Sequence, residues 1–220
     1  MTRARGRPTG TTAIALPSLE RFAGKRLEAN GDYEAVDFVD RDFTGHAAPG
    51  AAFRSCHIGR CRLDGLSIPR SRMSECLVED VSAMTIDLTD SVWRDTLVVG
   101  GRIGALSASG ATWSVVRVRG AKRAFVALSG TRLTDVVFEA CLIGELDLAD
   151  AQVRSVRIVD SQVTELNVEG AKLAGLDLVG AALQRLRGIE SLRGALVSRQ
   201  QLLDLAPVLA AHVGLQVRED

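Results

Sequence analysis

The residues with the most chemistry to offer in this 220-residue chain are four cysteines and three histidines. Thiolates and imidazoles act as nucleophiles, general bases and metal ligands when spacing brings them together. Cys56, Cys61, Cys76 and Cys141 are separated by 5, 15 and 65 residues, all multiples of five, and no histidine joins them at ligand spacing. His57 adjoins Cys56, His46 lies in the irregular run HAAPG, and His212 is near the C-terminus. No Ser-His-Asp set follows from these positions, and no GxxxxGK[ST] phosphate loop appears. Catalysis, a metal and a small-molecule cofactor are therefore not expected. A left-handed acyltransferase helix would need a period of six.

The elements that place those cysteines repeat every five residues. From Tyr33 to Leu183 one slot recurs 31 times without insertion or deletion, and 27 of its occupants are bulky and apolar. They include Phe38, Phe43, Phe53, Ile58, Leu63, Leu88, Leu133, Phe138, Ile143, Leu148, Val153, Ile158, Leu173 and Leu178. The exceptions are Ala48, Ala83, Ala108 and Arg123. Two residues earlier lies a second inward slot of small residues, and it holds all four cysteines, which read there as small buried hydrophobes. A helix would show a period of 3.6 and a half-buried strand a period of 2, so five identifies a repeat protein.

A bulky centre with a small residue two before it resembles the pentapeptide-repeat family, whose loose consensus is Ala-Asp/Asn-Leu-x-x. The runs LDLADA (146 to 151), LDLVGA (176 to 181) and IDLTDS (86 to 91) carry the likeness. The chain resembles actinobacterial members and, distantly, the mycobacterial fluoroquinolone-resistance member. The resemblance implies an all-β solenoid, a right-handed quadrilateral β-helix with four fives to a coil and about eight coils. At a spacing of about 4.8 Å per coil this makes a prism roughly 37 Å long. Cys56 and Cys76, 20 residues apart, should then stack in one column and point the same way, an arrangement that does not favour a disulfide.

Four segments are expected: a basic tail at 1–15 containing Arg3, Arg5 and Arg7, an N-terminal cap at 16–30, the β-helix at 31–187, and a helical cap at 188–220. Ser198 reads as a helix N-cap and Gly214 as the stop, with Pro207 kinking or dividing the helix. Members that the chain resembles dimerise through C-terminal helices, which implies contacts through Leu202, Leu205 and Leu209. Arg123 breaks the core slot. The expectation there is a local deformation that turns Phe125 inward in its place, because an unpaired buried guanidinium is costly.

Twenty-seven basic and 27 acidic residues give a formal charge of zero, so bulk electrostatics supplies no reason to bind nucleic acid or a membrane. The apolar run Ala13 to Leu16 is too short for a signal peptide or a span, and a cytoplasmic location is expected. Three readings of function follow. The first is a non-catalytic scaffold for a protein partner. The second, implied by the resemblance, is a DNA mimic that binds DNA gyrase and modulates quinolones or toxins through an acidic patch of Glu139, Asp147, Asp150, Asp160, Glu169 and Asp177. A duplex of the same length carries roughly 22 negative charges, whereas residues 31–187 hold 21 acidic and 18 basic residues. The third is direct nucleic-acid binding by a basic belt of Arg117, Arg119, Lys122, Arg123 and Arg132.

Overall fold

The structure is a computed structural model and describes residues 13–215. The basic tail with Arg3, Arg5 and Arg7 lies outside the described residues. The chain forms a parallel β-solenoid of about eight turns followed by a single helix. Register settles the coil length: Val92 pairs with Thr112, Thr112 with Arg132, Arg132 with Gln152 and Gln152 with Lys172, always 20 residues on.

Each coil has four sides. Side one is centred on Tyr33, Phe53, Met73 and their successors at intervals of 20, side two on Phe38 and Ile58, side three on Phe43 and Leu63, and side four on Ala48 and Ile68. Sides one and two together form a 12-stranded sheet, in which later strands such as Val92–Val99 run through both sides. Sides three and four form a seven-stranded sheet of strands such as Arg102–Ser107. The alternation of strand side chains sends the centre residue and the residue two before it inward. Phe38, Leu133, Leu148, Ile158 and Leu178 are fully buried, and Phe43, Phe53, Ile58, Leu63, Leu88, Phe138, Ile143 and Val153 are buried as well. Leu173, near the C-terminal end, is only half-buried.

The corners need the last residue of each five to reverse direction. After sides one, two and four that residue has a positive φ throughout, whether glycine, aspartate or a bulkier residue. Gly110 illustrates the requirement: its φ is +71°, and a Cβ there would lie 2.3 Å from the Asp90 carboxylate. Val115, at φ 57°, is β-branched and therefore an outlier in this region. The corner after side three behaves differently. Gly45 and Gly65 are left-handed, whereas Thr85, Ala105, Phe125, Glu145 and Glu165 lie within continuous strands.

This geometry corrects the expectation for Arg123. The side chain keeps its inward slot, paired between Ile103 and Ile143, and is 9% exposed, while Phe125 stays on the outer corner at 36%. Turning Phe125 inward would slip the strand by two residues and break the ladder on both sides, so the register prevails over the cost of one buried cation.

The ends are closed by chain on either side. Glu20–Arg21 pairs with Val36–Val39, and Phe22 packs on Phe38 with ring centroids 4.7 Å apart. At the other end the Leu196 amide donates to the Leu176 carbonyl, and the Leu178 amide donates to that of Leu196. Helix α1 (Arg199–His212) begins at Ser198, where a capping box with Gln201 satisfies its first amides. Of the two outcomes expected at Pro207, division is not seen: the residue lies inside the continuous helix α1.

Candidate functional site

The cysteines sit in the small inward column as structural residues. All four are free and buried. The Cys56 amide donates to Cys76 Sγ at 3.4 Å, and the Cys56 thiol donates to the Tyr33 and Arg54 carbonyls. Burial pushes the Cys61 and Cys141 thiols up, and the hydrogen bond shared with Cys56, followed by burial, pushes up that of Cys76. These three thiols, held protonated, are poor nucleophiles and poor metal ligands, whereas the hydrogen bond with Cys76 lowers the Cys56 thiol.

The coil register assembles one constellation that sequence spacing did not reveal. His57 Nδ1 lies 2.9 Å from Asp37 Oδ1, and Nε2 lies 3.1 Å from Glu79 Oε2, on three successive coils of side two. The signal was available as an interval of 20 from Asp37 to His57, followed by 22 to Glu79. The resulting group clamps the first coils together, and both ring nitrogens are engaged within the protein. His46 is half-buried beside Phe43 and accepts from the Leu27 amide at 3.5 Å. Among the described residues no group of three or more His, Cys, Asp or Glu is arranged to hold a metal ion.

The six carboxylates expected to form one acidic patch are divided between two sheets. Asp147, Asp150 and Glu169 belong to side four, whereas Glu139, Asp160 and Asp177 belong to side two, and side three separates the groups. Glu139 is also paired to Arg119 at 2.9 Å, and Asp147 accepts from the Asn167 amide group. All six lie towards the C-terminal end of the rod, but sides two and four do not adjoin.

The basic belt disperses for the same reason. Arg117 is paired to Asp135 at 3.2 Å, Arg119 to Glu139, and Arg123 is inside. Lys122 and Arg132 remain exposed on sides three and one.

The register instead builds a different basic surface. On side one the outward columns read Arg72, Val92, Thr112, Arg132, Gln152, Lys172 and Ser74, Arg94, Ser114, Thr134, Arg154, Ala174. Five exposed cations, Arg72, Arg94, Arg132, Arg154 and Lys172, thus share one flat face with no outward carboxylate between them. None of the five forms an ion pair among the described residues, unlike Arg54, Arg60, Arg62, Arg117 and Arg119. Five coil steps from Arg72 to Lys172 span roughly 24 Å. Over these coils acids occur only at the flanking corners, Asp90 and Asp150 along one, Glu75, Asp95 and Asp135 along the other; the same columns begin two coils earlier with Asp32 and Glu34, both paired to Arg54.

The C-terminal helix supplies an apolar surface. No residue of α1 is buried. Gln201 donates to the Leu178 and Ala181 carbonyls of the last coil, and Leu205 and Leu209, on the same helical stripe as Gln201, are half-buried. Of the three expected dimer contacts only Leu202 is exposed, at 51%; Leu203 and Val208 are exposed too, at 60 and 47%, but at about 100° per residue the three point in different directions around the helix. No helix among the described residues is long and apolar enough to cross a membrane.

No protein-family model and no curated protein sequence matches the chain. Solved structures that it is similar to include HetL, a pentapeptide repeat protein involved in heterocyst differentiation regulation from the cyanobacterium Nostoc. That likeness has 16% identity and a TM-score of 0.44 over 80% of this chain and 92% of that one. Full-length QnrB1, a plasmid-mediated fluoroquinolone resistance protein, is 15% identical with a TM-score of 0.27, over 84% of this chain and 100% of that one. Its trypsin-treated form is 16% identical with a TM-score of 0.32, over 94% and 100%. At these values the likeness carries no argument about activity or partner, and the fold assignment rests on the geometry of this chain. With five residues to a side, four sides to a coil and the coils in parallel register, the chain is a parallel β-solenoid built on a five-residue repeat.

Proposed function

We propose that this protein is a non-catalytic scaffold whose side-one face docks an acidic surface of a partner protein. The observation that carries this reading is the row of five exposed, unpaired cations on one flat face. The fold itself requires only the inward slots and the corners, so nothing in the solenoid demands cations at those outward positions. The corner carboxylates narrow the choice of partner. Duplex DNA carries one negative charge per about 1.7 Å and would set phosphates against Asp90, Asp95 and Asp150, whereas an acidic loop fits between the two flanking rows.

The exposed leucines near the start of α1 support a second element of the proposal, a homodimer formed through Leu202 and Leu203. The narrower alternative, a duplex mimic directed at DNA gyrase, retains Asp147, Asp150 and Glu169 together on side four but loses the other three carboxylates to side two.

The test reverses Arg94, Arg132 and Arg154 to glutamate in one variant. Proteins retained by the immobilised wild-type chain and released by salt should no longer be retained by the triple variant. Equal retention by both would refute the docking face. A parallel supercoiling assay with purified DNA gyrase separates the alternative: inhibition abolished by reversing Asp147, Asp150 and Glu169 to lysine, but indifferent to the arginine reversal, would favour mimicry.

A further inference from the structure

Arg123 is the only charged side chain buried among the described residues. It projects into the solenoid from side three, and its Nη1 has no hydrogen-bond partner among them. The titratable group that acts on it is the Cys141 thiol, which burial pushes up so that it holds its proton and supplies no countercharge. Burial lowers the guanidinium to about 10, which still leaves it a cation at neutral pH. An unpaired cation in an apolar interior is strongly unfavourable and must be met by a counterion or a dipole.

The surroundings define what could meet it. Arg123 forms part of the wall of a narrow axial cavity, about 70 Å³ in all, that runs along the rod from Leu27 to Ile143, and beside Arg123 its apolar lining is Ile103, Val118, Val126, Cys141 and Ile143. A water molecule occupies about 30 Å³ of liquid, and pockets for drug-sized ligands begin at about 300 Å³. The narrow part beside Arg123 therefore suits an ion of one or a few atoms. An apolar wall also selects against ions that hold their hydration shell tightly. We propose that Arg123 binds a weakly hydrated monovalent anion, chloride or bromide, within the axis of the solenoid. The outer surface offers a route: a depression on side three is floored by Gly104, Ala124 and Gly144 and flanked by Arg102 and Lys122. Those two cations raise the local anion concentration where the wall carries the smallest side chains. This inference is independent of the docking face, since it uses none of the side-one residues.

The test is thermal unfolding in sodium bromide against sodium fluoride at equal ionic strength, because fluoride is strongly hydrated. For a site half-filled at about 10 mM, raising bromide to about 300 mM should raise Tm by roughly 4–8 °C over the fluoride series. Arg123→Met should remove that difference and unfold at a higher temperature than wild type in fluoride, since the isostere deletes the unpaired charge. Arg123→Lys, which keeps the charge, should retain a bromide-dependent rise. A wild-type Tm indifferent to the halide, or a shift that survives in Arg123→Met, overturns the proposal. Crystals of the wild-type protein grown in bromide give a check independent of any variant: an anomalous peak beside the guanidinium supports the site, and a guanidinium without one overturns it.

Discussion

Leu148→Ala measures how strongly one coil depends on its neighbours. Leu148 is fully buried on side four, between Leu128 in the coil before and Val168 in the coil after, both also fully buried. Backbone ladders hold that column: the Leu128 amide donates to the Asp147 carbonyl and the Leu148 amide to that of Asn167, each at 2.8 Å. The walls can therefore relax little into the space left by the lost atoms. Leu→Ala substitutions in packed cores cost about 2.7–5.0 kcal/mol, rising with residual cavity volume, and a column pinned on both sides belongs in the upper part, about 3–5 kcal/mol. At roughly 2–4 °C per kcal/mol for a chain of this size, Tm should fall by about 6–20 °C. Leu183 is the control. It occupies the same type of slot in the last coil, where it is half-buried and pairs with the preceding coil through Val163 alone. Leu183→Ala should cost only about 1–2 kcal/mol, because the removed atoms were partly in water and the end can collapse. Urea unfolding followed by the fluorescence of Trp93 and Trp113, stacked at 5.1 Å in the middle of the rod, reads both variants. A loss below about 1 kcal/mol for Leu148→Ala, or equal losses at the two sites, would refute the picture of a column stabilised by contacts between neighbouring coils.

Two further outcomes can be checked directly. Burial alone would raise the Asp87 carboxyl, but hydrogen bonds from the Thr89 hydroxyl and amide and the Ser67 hydroxyl outweigh it and hold the group below its ordinary value. The unfolded chain then takes up the proton first as pH falls, so the stabilisation is complete above about pH 4 and is lost below it as pH passes through the folded value. Tm of wild type should exceed that of Asp87→Asn at pH 6, with the gap closing towards pH 2; a gap independent of pH would contradict the assignment. The double variant Leu202→Asp, Leu203→Asp should sediment at half the wild-type mass with an unchanged β-sheet circular dichroism spectrum, and a wild-type chain that sediments as a monomer would remove the dimer from the proposal.

The inward half of this protein was legible in the sequence. A bulky residue every five positions and a small one two before it reflect strand alternation and a regular corner, both local, so the core column could be read without knowing what lay beside it. The C-terminal helix was legible for the same reason: Ser198, Gln201 and Gly214 act within a few residues of themselves. The outward half was not. Asp37, His57 and Glu79 meet only because coils stack at an interval of 20, and that interval splits the acidic residues between two sides and gathers Arg72, Arg94, Arg132, Arg154 and Lys172 onto one. At Arg123 local preference favoured Phe125 for the interior, and the ladder to Ile103 and Ile143 decided otherwise. The sequence alone determined which residues turn towards the axis, because that depends on the alternation of a single strand. Tertiary structure decided which surface residues are neighbours and which charge is buried, because hydrogen-bonded register between coils is a property of no single repeat.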